Sequence, residues 1–224
     1  MNLPILYEDS DVVAVNKPAG LITHSDGRTK EETAENWFKA KYNVEGAGYV
    51  HRLDRDTSGV LVFAKNAAAY EFLRKAFHDR DVKKTYLAFV YGAPKTEKGV
   101  IDFDIGRSRR DFRLRSAQPK AKGRLREALT HYEVLGRADK YALLKLTPET
   151  GRTHQIRVHL KAIHHPIIGD PLYAPNQPLA LDIKRLGLHA SSLDIPLPAG
   201  GRTSIAAPIP SDLAPAFAHF PGAC

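Results

Sequence analysis

The sequence contains only one cysteine, Cys224, and it is the last residue. One cysteine cannot form an intramolecular disulfide or a cysteine-based zinc site, and such sparse use is typical of a reducing compartment. No apolar run approaches the roughly 18 residues that a membrane-spanning helix needs. The first residues also lack the basic start of a secretory signal. We therefore predict a soluble, cytoplasmic protein.

Signals for a cofactor or a metal are also scarce. No glycine-rich loop of the kind that binds nucleotide phosphates or dinucleotides is present. The ten histidines raise the question of a metal site, but His154 and His159 are five residues apart. That spacing places them on divergent faces of a helix, unlike the i, i+4 histidines of zinc proteases. We predict no cofactor and no metal, and we expect His51 and His154 to be buried hydrogen-bonding residues.

Positive charge is in excess and is concentrated in one segment. The 224 residues are 43% hydrophobic and 26% charged, which is ordinary for a globular protein, and the net charge is +8. Residues 106–128, called here the basic segment, contain nine arginines and lysines against two acidic residues. Because the segment lacks apolar periodicity, we expect an irregular surface excursion that binds a polyanion through its phosphates. A solvated loop without a partner has the same composition.

The remaining pattern predicts short strands mixed with amphipathic helices. There is no regular βαβ rhythm and no internal repeat. We therefore predict an α+β fold with a mixed, mainly antiparallel sheet flanked by helices, in a single domain over residues 1–224. Strands are predicted at 5–7, 12–15, 60–64, 84–91, 129–135, 141–147, 188–193 and 204–207, and helices at 30–42, after an Asn66 cap and after a Thr153 cap.

One stretch, HRLDRDTSG at residues 51–59, runs directly into an apolar strand and combines charges in an unusual way. Asp54 lies close to Arg52 and Arg55, so positive charge would favour its carboxylate form if it is buried. A charged carboxylate suits a nucleophile better than a general acid. A glycosidase using Asp54 and Asp56 would need one carboxyl kept protonated, which the arginines oppose. A solvated loop held by ordinary ion pairs shows the same charge pattern.

The stretch resembles the H-R-L-D-x-x-T-S-G signature of the RluA-type RNA pseudouridine synthases. Further segments match that family in the same order, and the resemblance extends over roughly residues 5–210. They are VNKPAGL at 15–21, KKTY at 83–86, GRTHQIRVH at 151–159 and HPIIGD at 165–170.

The resemblance implies the pseudouridine synthase fold, with an active-site cleft across the sheet, and isomerisation of specific uridines in transfer RNA and/or ribosomal RNA. It implies that Asp54 is the catalytic carboxylate, that Tyr86 stacks on the uracil and that Arg157 pairs with Asp54. A base inside folded RNA must be flipped out before it can react. We expect Arg52 to fill the space that the base leaves.

Substrate binding is predicted for further residues around these three. Some members of the family carry an N-terminal RNA-binding module, which we expect to be absent here because the catalytic pattern already begins at Ile5. We expect a monomer. Two other functions remain open, an RNA-binding module that has lost catalysis and a glycosidase that releases the base. The predicted substrate-binding residues are Arg52, Arg55, Arg152, His154 and Gln155, with Arg109, Arg110 and Arg113 in the basic segment.

Overall fold

Residues 1–25, 27, 30–109, 111, 114–117 and 121–222 are described by the computed structural model of the protein. The chain divides into two units. The first comprises Met1–Lys84 and Ala190–Pro208, and the second comprises Thr85–His189 and the chain from Ile209 on. Each unit has its own apolar core. The single catalytic domain over 1–224 stays a prediction.

Strands and helices alternate irregularly along the chain, as the sequence predicts. The helices are α1 (Ala34–Tyr42), α2 (Ala67–His78), α3 (Gln155–Ala162) and α4 (Ala214–Phe217). The strands are β1 (Ile5–Glu8), β2 (Val12–Lys17), β3 (Gly48–Tyr49), β4 (Ser58–Ala64), β5 (Lys83–Tyr91), β6 (Lys98–Asp102), β7 (Ile105–Ser108), β8 (Arg115–Ala117), β9 (Ala121–Arg126), β10 (Leu129–Ala138), β11 (Tyr141–Pro148), β12 (Leu188–Pro196) and β13 (Arg202–Ala206).

In the first unit the strands are ordered β1-β2-β4-β12, with β3 paired to β4 and β13 to β12. Strand β4 is buried along its whole length because a helix packs on each of its faces. Val62 belongs to the apolar cluster that contains Leu73 of α2. The next residue, Phe63, points to the opposite face and stacks on Phe38 of α1 with ring centroids 4.8 Å apart. The two helices therefore hold β4 and its preceding loop from both sides.

Side-chain caps set where these two helices begin. Thr33 forms a capping box with Asn36, so α1 starts at Ala34 and not at residue 30 as the periodicity suggested. The predicted cap of α2 is confirmed, since the Asn66 side chain accepts a hydrogen bond from the backbone N–H of Ala69 at 2.9 Å.

In the second unit the strands are ordered β5-β11-β10-β6, and each neighbouring pair is antiparallel. Ala88 of β5 packs in a cluster with Leu160 of α3, whereas Phe89 packs in another cluster with Ala216 of α4. The predicted Thr153 cap is wrong. Helix α3 begins after His154, whose backbone is left-handed at φ 58° and whose side chain makes no capping bond.

The basic segment is more ordered than the sequence suggested. Strands β7, β8 and β9 form a separate three-stranded antiparallel sheet in the order β8-β7-β9, here called the basic sheet. It is anchored by Ile105 and Ala117, which are buried in a cluster with Val158 of α3. The expectation of irregular structure is therefore wrong for the described part of the segment. Arg110 and Arg113 lie outside the described residues.

The α+β class and the mainly antiparallel sheet are confirmed. The strand pairs β1–β2, β2–β4, β3–β4, β5–β11, β6–β10, β7–β8, β7–β9, β10–β11 and β12–β13 are antiparallel. The cleft across the sheet stays a prediction. Within the part of the chain that the structure describes, no helix combines the length and the apolar character needed to cross a membrane.

Candidate active site

Asp54 lies in the loop before β4, called here the aspartate loop (residues 51–57). Its side chain is half-buried, and its backbone carbonyl accepts a hydrogen bond from Thr57 at 3.1 Å. This turn returns the chain into β4, where the residues from Ser58 onward are buried. Arg52 and Arg55, the two arginines around Asp54, are exposed. The loop therefore presents a carboxylate between two solvent-accessible cations.

A buried lysine, Lys17, forms hydrogen bonds with the backbone of the aspartate loop. Lys17 is fully buried at the end of β2, and its ammonium group donates to the carbonyls of Pro18, Leu21 and Arg55 at 2.7–2.9 Å. Burying an ammonium group is unfavourable unless hydrogen bonds replace its water. These three carbonyls do so, and one of them belongs to the residue directly after Asp54. Lys17 thus ties the backbone beside Asp54 to the turn that follows β2.

A second set of hydrogen bonds holds Leu53, the residue before Asp54. The Thr23 hydroxyl is buried, donates to the Leu53 carbonyl at 2.9 Å and accepts from the Leu53 N–H at 3.2 Å. Gly20 donates its N–H to the Arg55 carbonyl at 2.9 Å, and the Arg55 side chain pairs with Glu31. Both neighbours of Asp54 in the chain are therefore held by residues 17–23.

His51 confirms the expectation of a hydrogen-bonding scaffold. Its Nε2 accepts the backbone N–H of Val62 in β4 at 3.1 Å, and its ring stacks on Phe77 of α2. A ring nitrogen that accepts a hydrogen bond must be unprotonated. Burial of the ring, with a smaller contribution from the charge of Lys84, lowers the pKa of His51 to about 3. His51 is thus a neutral support for the loop.

Two glycines set the backbone path beside acidic residues, one in each unit. Gly59, at φ 118°, lies so close to β12 that a Cβ atom would be 2.1 Å from the Ala190 carbonyl oxygen. Gly169, at φ 72°, would place a Cβ atom 2.1 Å from the Arg185 carbonyl oxygen. Neither position accepts a side chain without moving backbone. Gly59 thereby fixes the exit of the aspartate loop, and Gly169 fixes the residue before Asp170.

Arg157 lies on α3 in the second unit and is nearly inaccessible to solvent. Its Nε and Nη2 donate to the two carboxylate oxygens of Asp170, both at 2.8 Å, with 5% and 0% of the two side chains exposed. This bidentate geometry holds the guanidinium in one orientation. Asp170 also accepts the backbone N–H groups of Leu172 and Tyr173. The pairing of Arg157 with Asp54 stays a prediction, and Asp170 is a partner that the sequence analysis did not identify.

The start of α3 is built on a buried amide. Gln155 is 5% exposed, accepts from the Thr150 hydroxyl and the Arg152 N–H, and donates to Leu129 and Thr130. Arg152 donates from Nε to the Glu127 carbonyl at 2.9 Å. These contacts give Gln155 a scaffold role, and its predicted contact with substrate stays a prediction, as does that of Arg152.

Tyr86 and His154 occupy positions between core and solvent. Tyr86 is half-buried in β5, where it pairs in register with Leu146 of β11 and packs against the apolar cluster beneath the sheet. His154 places Nδ1 2.9 Å from the Tyr173 hydroxyl oxygen. This contact confirms His154 as a hydrogen-bonding residue, but the expectation that it is buried is wrong, because it is half-buried. Contact of either residue with a substrate stays a prediction.

The basic sheet brings like charges together. Arg107 of β7 is directly opposite Arg115 of β8. Like charges at directly opposite positions destabilise a sheet unless a counter-charge is present. Arg107, Arg109, Arg124 and Arg126 are exposed. The arrangement therefore favours an anionic partner.

The structure adds four residues to the candidate site for which the sequence predicts no role, namely Lys17, Thr23, Asp170 and Tyr173. Lys17 and Asp170 lie inside segments quoted for the family resemblance, so the resemblance pointed to them without a role. Their contacts to Arg55 and Arg157 span 38 and 13 positions in the chain. Such contacts depend on the tertiary fold, and no local pattern predicts them.

Comparisons with known proteins agree with these features. A family model described as RNA pseudouridylate synthase matches residues 11–162. A protein named uncharacterized RNA pseudouridine synthase, from Mycobacterium bovis, is 43% identical over 221 residues, covering 94% of this chain and 70% of that protein. The ribosomal large subunit pseudouridine synthase D of Vibrio cholerae is 37% identical over 227 residues, covering 94% of this chain and 68% of the relative. Among solved structures, human RNA pseudouridylate synthase domain containing 1 has a TM-score of 0.77 and 30% identity, covering 93% of this chain and 84% of that one. The matched region includes Asp54, Tyr86 and Arg157.

Proposed function

The chain belongs to the RluA-type RNA pseudouridine synthase family, and on that premise we propose that it isomerises specific uridines of transfer RNA and/or ribosomal RNA with Asp54 as the catalytic carboxylate. The family makes it an isomerase. The observation that carries the role of Asp54 is its setting. Its loop is tied on both sides by the buried Lys17 and Thr23, while its own side chain is half-buried.

The reaction exchanges one bond for another without a net change in composition. The bond from uracil N1 to ribose C1′ breaks, and a bond from uracil C5 to C1′ forms. The hydrogen on C5 leaves as a proton, and N1 gains a proton. Three steps can use a charged carboxylate, namely attack on the ribose, attack on the ring and removal of a ribose proton. Asp54 serves one of these steps.

Tyr86 and Arg157 complete the proposed catalytic group. Tyr86 stacks on the uracil and takes part in proton transfer, for which its half-buried place in β5 leaves part of the ring accessible. Arg157 pairs with Asp54 while Asp170 holds the guanidinium in place by two hydrogen bonds. An arginine has enough donors to bind two carboxylates at once.

The target base must leave its stack before it reaches Asp54, which costs a few kcal/mol. Arg52 is the proposed residue that fills the vacated space. It is exposed in the aspartate loop, and a planar guanidinium stacks well on bases. Arg55 is exposed in the same loop and paired with Glu31, and its proposed role is to contact the substrate.

RNA affinity comes in this proposal from the basic sheet. The repulsion between the opposed Arg107 and Arg115 is relieved when a phosphate binds between them. Arg109, Arg110 and Arg113 of the basic segment are proposed to contact the RNA as well. The enzyme acts in the cytoplasm as a monomer without a cofactor or a metal.

A tritium assay tests the proposal. RNA carrying tritium on uracil C5 releases it into water when C5 bonds to the ribose, while the base stays attached to the RNA. We expect this result with total transfer or ribosomal RNA, and mapping of pseudouridines with and without the gene identifies the position. Release of free tritiated uracil would instead identify a glycosidase. Binding without any tritium release from either RNA class would identify a module without catalysis.

A further inference from the structure

Tyr173 lies where three parts of the second unit meet, and the catalytic proposal above does not use it. Its side chain is buried, with 5% of the residue exposed. Its backbone N–H donates to Asp170, the carboxylate that holds Arg157. Its ring lies against Arg157, with the guanidinium carbon 5.1 Å from the ring centroid. Tyr173 therefore contacts both members of the Arg157–Asp170 pair.

The hydroxyl of the same residue contacts two other elements. It accepts the backbone N–H of Arg115, in strand β8 of the basic sheet, at 3.0 Å. It also lies 2.9 Å from Nδ1 of His154, the residue from which α3 begins. A tyrosine hydroxyl has one hydrogen to donate, so accepting from Arg115 leaves that hydrogen available for His154. The hydroxyl thus joins the basic sheet to the start of the helix that carries Arg157.

The contact between the Tyr173 hydroxyl and His154 helps to hold the left-handed backbone of His154. A non-glycine residue with φ near 58° is uncommon and persists where its surroundings hold it. Apolar packing adds to the hold, because Tyr173 shares a buried cluster with Ala117 of β8 and Val158 of α3. The contacts of the Tyr173 side chain therefore help to fix the position of α3 relative to the basic sheet.

We infer that Tyr173 is a positioning residue for Arg157, which it holds in register with the RNA-binding basic sheet. The inference rests on the proposed function for its effect on catalysis. The two parts of the side chain have different roles. The hydroxyl fixes the start of α3 at His154, and the ring fixes the position of the Arg157 guanidinium. Loss of either should lower the rate of chemistry more than it lowers RNA affinity.

The test compares Tyr173→Phe, which keeps the ring, with Tyr173→Leu, which removes ring and hydroxyl. Tyr132→Phe is the matched control, because its hydroxyl also makes a side-chain contact, to Thr96, but at an exposed site. We expect Tyr173→Phe to lower the single-turnover rate at saturating RNA about tenfold and Tyr173→Leu to lower it further, since a lost buried hydrogen bond has an effect of that order. The dissociation constant for RNA should change less than about twofold. Tyr132→Phe should match the wild type.

A spectroscopic measurement separates this inference from the proposed function. The Nε–H of Arg157 donates to a buried carboxylate, so it should give a protected nitrogen-15 signal that Arg157→Lys removes. The nearby aromatic ring shifts that signal, so Tyr173→Leu should move it strongly, whereas Tyr173→Phe, which keeps the ring and loses only the hold on the helix start, should move it less. An unmoved signal in Tyr173→Leu, or unchanged rates at saturation in Tyr173→Phe, would overturn the positioning role. A wild-type protein that releases no tritium would instead overturn the proposed function, and the arginine signal would still decide the placement of Tyr173.

Discussion

The two units of the protein hold a buried cation in different ways. In the first unit, Lys17 donates to three backbone carbonyls around the aspartate loop. In the second, Arg157 pairs with the carboxylate of Asp170 through two hydrogen bonds. Carbonyl groups fix the path of a backbone, whereas a bidentate carboxylate fixes the orientation of a side chain. The first unit thus positions a loop around its predicted catalytic group, and the second positions the predicted catalytic group itself.

The largest effect should come from removing the charge of Asp54 while keeping its loop intact. Asp54→Asn has nearly the same shape but no negative charge, so we expect the rate of tritium release to fall by more than about a thousandfold. RNA affinity and the free energy of unfolding should stay close to wild type. Asp56→Asn, in the same half-buried loop, is the control and should retain activity within about tenfold. An active Asp54→Asn enzyme would remove the aspartate from the mechanism.

Breaking the ion pair of the second unit should have the next largest effect. Arg157→Ala leaves the buried Asp170 carboxylate without its guanidinium, which should cost about 3–5 kcal/mol of unfolding free energy. Arg157→Lys keeps a positive charge and should lose less, and Arg157→Met combined with Asp170→Leu should recover part of the loss. Arg137→Ala breaks the exposed pair with Glu97 and should cost less than about 1 kcal/mol. Denaturant titration measures the unfolding free energy of all four variants. Equal losses in Arg157→Ala and Arg137→Ala would show that the buried ion pair stabilises the protein no more than the exposed one.

Removing the cation of the first unit should have a smaller effect on stability. Lys17→Met keeps the length of the side chain but removes the donor that the Pro18, Leu21 and Arg55 carbonyls share, at about 1–3 kcal/mol. Because these carbonyls fix the aspartate loop, the rate at saturating RNA should fall as well. Lys39→Met, which removes an exposed i, i+4 partner of Glu35, is the control and should be nearly neutral. A Lys17→Met protein with wild-type rate would show that the carbonyls do not position Asp54.

The support of the aspartate loop should also depend on pH through His51. Its pKa is about 3 in the folded protein against an ordinary value of 6.5, so the unfolded chain binds the proton first as the pH falls. Stability from the neutral imidazole is therefore present above pH 6.5 and is lost as the pH falls from 6.5 towards 3. Between pH 7 and 5 the wild type should lose about 2 kcal/mol more than His51→Phe, which keeps the stacking on Phe77. If the wild type and His51→Phe lose the same unfolding free energy over this pH range in denaturant titrations, His51 does not titrate in this way.

The smallest effect on chemistry should come from the basic sheet. Changing Arg107, Arg115, Arg124 and Arg126 to Gln should flatten the dependence of log affinity on log salt by about 0.7 for each lost phosphate contact. The apparent Michaelis constant should rise, while the single-turnover rate at saturating RNA stays close to wild type. A control with Lys30, Lys39, Arg74 and Lys75 changed to Gln removes the same net charge from the first unit. If both variants change the salt slope equally, total charge and not the basic sheet would account for the affinity.

Much of the fold could be predicted because the signals are local. Asn66 ahead of an amphipathic run, and the apolar residues 60–64, need only neighbouring residues to act, and both appear where expected. The basic sheet could not be predicted in the same way. Its apolar anchors, Ile105 and Ala117, are single residues at strand ends, so they leave no periodicity in a segment dominated by charge.

The same distinction between local signals and tertiary contacts applies to the candidate site. Asp54, Tyr86 and Arg157 were named from the family resemblance, because short segments around them match in order. The side chains that hold them were not, since Lys17, Thr23 and Asp170 act through contacts that exist only after folding. His51 was expected to be a scaffold, but its acceptor role towards Val62 follows only from the structure.

The two close backbone approaches have a consequence for reading a mutational scan of this protein. Gly59 and Gly169 each place a hypothetical Cβ atom 2.1 Å from a carbonyl oxygen, so each should tolerate no other amino acid. Neither contributes a functional group, yet both lie within five positions of Asp54 or Asp170 in the chain. A ranking by intolerance alone would place these glycines beside the predicted catalytic residues. Screening the same library for folded protein and for tritium release would separate them, because substitutions at position 59 or 169 should fail both screens, whereas Asp54→Asn should fail only the second.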